Sequence, residues 1–245
     1  MLVCAIALPL WVTIVYAASI LPGEQLDFSV PGTASVYEVF GHKGNPGGDI
    51  PGQASSAAIQ IDFTPGPRNR FVFSVTGLAG CCAPEPASYP PDGGRRPSAV
   101  VAGANGLSDV AGNTALGLLG AFTTTADPSI SAAPRHRWWD GEAPTSSAPL
   151  LHQTFYIGDG RSGYDDLLGS MLLVAAPADA SRLYLGVADA LYFGGLPGFY
   201  GDNPGSYSVR ATLLQQVVAE PSHRALAGLV FAALIALRIA RRLED

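Results

Sequence analysis

The sequence has few cysteines, few charged residues and a single lysine. The three cysteines, Cys4, Cys81 and Cys82, are too few for a disulfide framework or a cysteine-rich zinc site. Cys81 and Cys82 are adjacent and could pair only through a strained ring, so we expect both to be buried or free. Charged residues make up 14% of the 245 residues, Lys43 is the only lysine, and the formal net charge is −6. Without a basic stripe, this composition argues against a nucleic-acid-binding protein.

Sustained amphipathic helix patterns are also missing between Leu21 and Val218. Hydrophobic residues form 48% of the chain, which excludes an intrinsically disordered protein. The 29 glycines and 20 prolines are typical of a turn-rich β protein. The sequence contains no nucleotide-binding glycine motif, no Gly-x-Ser-x-Gly elbow and no His-Glu-x-x-His motif. We therefore predict that the protein is not an enzyme.

Short runs of alternating hydrophobic residues predict strands separated by turns. The runs 59–63 and 70–75 flank Pro65-Gly66-Pro67 and could pair across that turn. The run 115–122 fits a strand or a helix. Further strands are predicted at 150–157, 172–175, 183–187 and 207–213. Many short strands with turn signals predict an all-β fold, an antiparallel β-sandwich that spans residues 18–218 as one domain.

The N-terminal residues form an apolar run that ends in small residues. Val15-Tyr16-Ala17 satisfies the small-residue rule for a signal-peptidase site, and Ala18 is a near alternative. No Lys or Arg precedes the run, which is unusual for a signal peptide. We predict a signal helix over residues 1–17, with a membrane anchor as the alternative.

The C-terminal end carries a second apolar run. Residues 225–240 would form a helix about 24 Å long, slightly short of a bilayer core of about 30 Å. Arg238 can extend to the membrane surface, and Arg241 and Arg242 follow it. This pattern predicts a membrane-spanning helix whose basic end stays in the cytoplasm.

The polar residues before that helix complete the pattern of a sorting signal. Glu220-Pro221-Ser222, the helix and the arginines resemble the PEP-CTERM tail of Gram-negative bacteria, although Ala219 stands where that motif has its first proline. The resemblance implies that residues 219–245 are cut by an exosortase-type sorting protease. The body would first be anchored to the inner membrane and then reach the cell surface or extracellular matrix. An uncut tail anchor is the alternative.

The densest cluster of polar residues and glycines lies between two predicted strands, at residues 189–207. We expect a long hairpin-like loop that supplies oxygen donors from Asp189, Asp202 and Asn203. Calcium takes six to eight oxygen ligands, and glycine and proline let distant donors converge. The loop has no His or Cys, which disfavours a transition metal. The alternative is that 202–205 is a simple turn.

The same segment carries a resemblance to a lectin family. Residues 183–190, followed by Pro197-Gly198-Phe199-Tyr200-Gly201-Asp202-Asn203-Pro204-Gly205-Ser206-Tyr207, resemble the C-terminal part of PA-I-type galactophilic bacterial lectins. That family is a small jelly-roll β-sandwich. It binds a calcium ion whose coordination is completed by vicinal hydroxyls of the sugar. The resemblance therefore implies a jelly-roll-like sandwich that binds Ca²⁺ and a glycan.

The resemblance also implies a set of calcium ligands. Asp189 matches the acidic ligand, Phe199 would offer its carbonyl, and Asp202 and Asn203 match an Asn pair. Tyr89, in a loosely similar upstream loop, would offer a second carbonyl. Asp189, Asp202 and Asn203 are also the implied sugar-binding residues. The chain departs from the family in a longer loop between Asp189 and position 197 and in lacking the family's sugar-contacting His/Gln segment.

Three functions follow as expectations. The first is an exported protein that binds extracellular polysaccharide through a calcium-bridged site. The second is a structural envelope or biofilm-matrix protein with the same fold and no sugar site. The third is a polysaccharide hydrolase that uses its acidic loops. Trp138 and Trp139 could form an aromatic platform for a sugar or a packed surface loop, and we expect His152 and Asp159 to be structural.

Overall fold

The computed structural model describes residues 17–49, 54–81, 87–94, 100–111, 116–127, 134, 146–162 and 169–215. In these residues the regular structure consists of strands and two short 3₁₀ turns, with no α-helix, which confirms the predicted all-β class. The strands are β1 (Ala17–Ile20), β2 (Gln25–Pro31), β3 (Ala34–Ser35), β4 (Ser56–Ala57), β5 (Ile59–Phe63), β6 (Asn69–Cys81), β7 (Ala87–Tyr89), β8 (Val100–Val101), β9 (Val110–Ala111), β10 (Leu118–Thr123), β11 (Ser146–Ser147), β12 (Thr154–Tyr156), β13 (Leu173–Ala175), β14 (Arg182–Val187) and β15 (Gly205–Gln215). The 3₁₀ turns are Leu191–Phe193 and Tyr200–Asp202.

The first sheet has the strand order β1-β5-β14-β10-β12, and the short strands β3 and β4 join it through β14. All six residues of β10 are buried, because both faces of this strand are covered. Leu118 and Phe122 face the larger hydrophobic cluster, whereas Leu119 and Ala121 face a second one. A strand covered on both faces reads as a continuous apolar run, which explains why the run 115–122 also fitted a helix.

The second sheet has the order β11-β13-β6-β15-β2, with β7 paired to β6. Along β15, Tyr207, Val209, Ala211 and Leu213 are buried, as the alternation predicted. The intervening residues are more exposed, which is the pattern of a sheet with one face toward the core. A short two-stranded sheet, β8-β9, pairs with neither, and Val101 of β8 packs in the second hydrophobic cluster.

The two sheets share one hydrophobic cluster. Phe63 of β5 and Phe71 of β6 meet edge to face, with ring centroids 5.1 Å apart. Phe122 of β10 packs against Phe71 as well, at 5.6 Å. These aromatic contacts therefore join side chains that belong to different sheets.

Two predicted connections were wrong. β5 and β6 do not pair, because β5 lies between β1 and β14 in the first sheet while β6 belongs to the second. The segment 189–204 is likewise not a hairpin, since β14 and β15 lie in different sheets. Alternation identifies the buried face of a strand but not its partner, so both turns were misread as hairpins. The polar loop therefore lies where the chain crosses from one sheet to the other.

The predicted terminal segments are mostly outside the described residues. β1 begins at Ala17, which is the last residue of the predicted signal peptide. The predicted span 225–240 and the sorting residues Glu220, Pro221, Arg238, Arg241 and Arg242 are not described. Among residues that are described, no helix is long and apolar enough to cross a membrane.

Candidate functional site

The crossing segment between β14 and β15 divides into two parts. Ala190 and Pro197 form an isolated antiparallel bridge, and the Gly198 N–H donates to the Asp189 carbonyl at 3.0 Å. Residues 191–196 project from this stem and are called the tip loop below. Residues 199–203 follow the stem and are called the oxygen-rich turn. The stem places Asp189 directly beside the start of that turn.

Asp189 is a buried carboxylate, with 2% of the residue exposed. Its Oδ1 accepts a hydrogen bond from the Ala190 N–H at 2.7 Å, and its Oδ2 accepts one from Asn203 Nδ2 at 2.8 Å. The Asp189 N–H donates to the Tyr200 hydroxyl oxygen at 3.2 Å. The fold thus brings together an acid and an amide that are fourteen residues apart in sequence.

Asn203 is fully buried, and its Oδ1 has no hydrogen-bond partner. Leaving a buried acceptor unsatisfied costs about 1–3 kcal/mol, so such an atom calls for an explanation. The chain also approaches closely at this point, because a Cβ atom on Gly32 would lie 2.6 Å from the Asn203 carbonyl oxygen. A cation that prefers oxygen ligands would supply the partner that the Asn203 amide oxygen lacks.

The pKa shifts of the two acids are also those expected of a buried site that lacks a positive charge. Burial raises the pKa of Asp189 to about 7; the hydrogen bonds from Asn203 and Ala190 oppose this rise, and the nearby Asp202 carboxylate adds to it. Partial burial also raises the pKa of Asp202. Asp189 forms no ion pair with a basic side chain in the part of the chain that is described. A bound cation would therefore offset the cost of burying this charge.

The remaining predicted ligand of the turn is the carbonyl of Phe199. Phe199 has a φ angle of 69°, in the left-handed region that non-glycine residues seldom adopt. Its N–H donates to the Gly48 carbonyl at 2.9 Å, and the Gly47 N–H donates to the Pro197 carbonyl at 2.7 Å. The loop around Gly47 and Gly48 therefore braces the stem and the oxygen-rich turn.

That bracing loop contains an acid that sequence reasoning missed. Asp49 Oδ2 accepts a hydrogen bond from the Asn45 side chain, while Asp49 Oδ1 is buried without a partner. The sequence signal was a second Asn-Pro-Gly unit, since Asn45 begins the same tripeptide that begins at Asn203. Each of the two braced loops therefore carries a buried side-chain oxygen without a partner.

Tyr89 lies at the same end of the second sheet but not at the Asp189–Asn203 pair. Tyr89 pairs with Ala79 of β6, and Ala79 pairs with Gly205 of β15. Two strand spacings put the Tyr89 backbone about 10 Å from that of Gly205. The Tyr89 carbonyl accepts a weak hydrogen bond from the Tyr207 hydroxyl at 3.5 Å. The structure thus joins Asp189 to Asn203 directly and places Tyr89 on β7, which is separated from β15 by β6.

Other polar candidates lie elsewhere. Within the described ranges, no three His, Cys, Asp or Glu side chains converge as a metal-binding group, so a cation here would also depend on amide and carbonyl oxygens. His152 Nε2 is buried without a partner, and burial lowers the pKa of this imidazole. The residues Trp138 and Trp139 lie outside the described part of the chain.

Comparison with known proteins adds no relative. No protein-family model matches the chain, no curated protein matches its sequence and no solved structure matches its fold.

Proposed function

We propose that the protein is an exported carbohydrate-binding module, a jelly-roll-like β-sandwich with a cation site at the Asp189–Asn203 pair. The observation that carries this proposal is the contact between a buried carboxylate and a buried amide whose own oxygen has no partner. Burying these two oxygen-bearing side chains costs free energy if the segment is only a turn. A cation bound to their oxygens would offset that cost.

The donor set suits calcium better than a transition metal. Asp189 Oδ1 and Oδ2 each accept one hydrogen bond, so each retains acceptor capacity, and Asn203 Oδ1 is unused. Asp202 and the Phe199 carbonyl belong to the same turn. All of these donors are hard oxygen atoms, which favours calcium. When bound, calcium supplies coordination positions that a pair of sugar hydroxyls can fill.

The geometry favours binding over hydrolysis. A glycosidase needs two carboxyl groups that both reach the scissile bond. Asp189 is only 2% exposed, and both of its carboxylate oxygens are engaged in hydrogen bonds. Its position therefore supports a role in holding an ion. The predicted signal peptide and the PEP-CTERM-like tail add export, transient anchoring in the inner membrane and an exosortase-type protease as a partner.

Calcium-dependent thermal stability tests the proposal. The full chain, in mild detergent, is unfolded in EGTA and in CaCl₂ at about 10 mM, above the roughly 0.1–1 mM dissociation constants of extracellular calcium modules. Calcium should raise the Tm of the wild-type protein, since a ligand at 100 times its Kd adds about 2.7 kcal/mol. Asp202→Ala should reduce this rise. Asp179→Ala, which removes an exposed turn carboxylate outside the site, should leave it unchanged.

A glycan array in calcium then separates the candidate functions. Binding of wild-type protein to saccharides in CaCl₂, and its loss in EGTA, would support the calcium-bridged module. A calcium-induced rise in Tm without saccharide binding would favour the structural matrix protein. An equal Tm in EGTA and CaCl₂ would contradict the cation site itself.

A further inference from the structure

The tip loop concentrates exposed hydrophobic side chains beside the candidate site. Tyr192 is 91% exposed, and Leu191 and Leu196 are 52% and 56% exposed. Single exposed hydrophobic residues are normal on a protein surface, whereas three lie here within six positions. Tyr192 presents a flat apolar ring together with a hydroxyl group, which suits a ligand that is partly apolar and partly polar.

The backbone displays Tyr192 at a conformational cost. Tyr192 and Phe193 have φ angles of 55° and 58°, and bulky residues pay about 1–2 kcal/mol each in this region. The two neighbouring residues have opposite environments, because Phe193 is 3% exposed and belongs to the hydrophobic cluster that both sheets share. Phe193 therefore anchors the loop while Tyr192 is held in solvent. Strain of this kind is typical of functional sites.

Further hydrogen bonds hold the tip loop against the rest of the molecule. The Gly195 N–H donates to the Val100 carbonyl at 2.9 Å, and the Ala102 N–H donates to the Gly195 carbonyl at 2.7 Å. The loop is thus fastened at its stem, at Phe193 and at Gly195. Because a tyrosine has only two side-chain torsions, a ligand that stacks on it loses little affinity to ordering.

The position and charge of the loop limit the ligand class. Tyr192 is three residues from Asp189, so their Cα atoms are at most about 11 Å apart. An oligosaccharide bound at the tip loop therefore lies within about 11 Å of the Asp189 backbone. The tip loop contains no charged residue, so it offers no basic side chain that could pair with an acidic sugar.

We propose that Tyr192 stacks on the apolar face of a neutral hexopyranose unit bound next to the Asp189–Asn203 pair. This inference rests on the proposed function and adds the ligand class, a neutral saccharide with one unobstructed ring face. The longer loop between Asp189 and residue 197, which distinguishes this chain from PA-I-type lectins, is the segment that supplies the ring.

Saccharide affinity and calcium response test this role separately. The full chain is titrated in CaCl₂ with the neutral saccharide that binds best on an array of neutral and anionic mono- and oligosaccharides. Tyr192→Ala should weaken binding about tenfold, the equivalent of about 1.4 kcal/mol, while its calcium-induced rise in Tm stays that of the wild type. Tyr192→Phe keeps the ring and should bind within about twofold of the wild type.

Leu150→Ala is the matched control. Leu150 is 58% exposed, and the adjoining His152 N–H donates to the Phe122 carbonyl near one end of β10. The opposite end of β10 pairs with Val187, which precedes Asp189 by two residues. Leu150 therefore lies near the end of β10 that is away from the site. Loss of this side chain should leave saccharide affinity unchanged.

The outcomes separate this inference from the function on which it rests. If Tyr192→Ala binds the saccharide as tightly as the wild type, Tyr192 does not stack and the calcium-bridged site still stands. If only anionic saccharides bind, or if Tyr192 instead controls binding to phosphatidylglycerol vesicles, the neutral-saccharide inference is wrong. If the wild-type protein binds no saccharide, both this inference and the proposed carbohydrate-binding function are overturned.

Discussion

Replacing Asp189 by asparagine should stabilise the calcium-free protein and abolish its response to calcium. The change removes the buried negative charge with little change in side-chain volume. The new amide nitrogen can donate to Asn203 Oδ1 once the Asn203 amide turns over, which keeps the hydrogen bond between the two side chains and moves Asn203 Nδ2 to the position without a partner. Removing a charge that is buried without a counter-ion usually stabilises a protein.

The size of the effect follows from the pKa of the buried carboxyl. Burial raises the pKa of Asp189 from 3.8 to about 7. A difference of about 3 pH units corresponds to roughly 4 kcal/mol, as an upper value, between the charged and neutral forms at pH 8. In EGTA at pH 8, Asp189→Asn should therefore raise the free energy of unfolding by about 2–4 kcal/mol. At pH 5 the folded carboxyl is protonated while the unfolded one, with a pKa of 3.8, is still ionised, so the difference should shrink to at most about 1.6 kcal/mol.

Urea unfolding in four conditions, EGTA or CaCl₂ at pH 5 or 8, measures all of these differences. In CaCl₂ at pH 8 the wild type should recover stability, whereas Asp189→Asn should not respond. Asp179→Asn, which changes an exposed turn carboxylate, is the control for the loss of one acid. The reasoning fails if Asp189→Asn is less stable than the wild type in EGTA at pH 8, or if calcium stabilises both proteins equally.

Two further predictions concern the same region. Without calcium, the contribution of Asp189 to the free energy of unfolding should be highest below about pH 4 and should be lost as pH rises through about 7, because the folded pKa of Asp189 exceeds its unfolded value. The difference between wild type and Asp189→Asn in a pH series of urea unfolding in EGTA measures this contribution, and a difference that does not change with pH contradicts the buried charge. Gly32→Ala should lower the free energy of unfolding by about 1–3 kcal/mol, because the added methyl would lie 2.6 Å from the Asn203 carbonyl oxygen. Gly194→Ala, with no atom within 4 Å of the added methyl, is its control in the same urea assay, and equal losses from both substitutions would count against this close approach.

Local patterns in the sequence predicted strands better than they predicted connections. The run 59–63 coincides with β5, and the buried positions of β15 are those that the alternation predicted. The run 150–157 was too long, since only Thr154–Tyr156 is a strand and His152 adopts a left-handed turn conformation with a φ angle of 64°. Periodicity reports which face of a strand is buried, whereas a strand's partner depends on contacts far away in sequence.

The candidate site shows the same division. Composition and turn chemistry singled out Asp189, Asp202 and Asn203 as oxygen donors. They did not reveal that Asp189 bonds Asn203 directly, that Asn203 Oδ1 is left without a partner, or that Asp49 carries a second buried oxygen in the bracing loop. Burial and pairing depend on the crossing between two sheets, which no local pattern contains.

The sequence by itself determined the all-β class, the alternation of the strands and the residue types available in the polar loop, because these depend on short-range periodicity and side-chain chemistry. Only the tertiary structure decided that the loop crosses between sheets, that Asp189 is enclosed with Asn203, and that Phe193 is buried while Tyr192 is exposed. The physical reason is that desolvation and contact are properties of the packed chain, set by residues many positions apart.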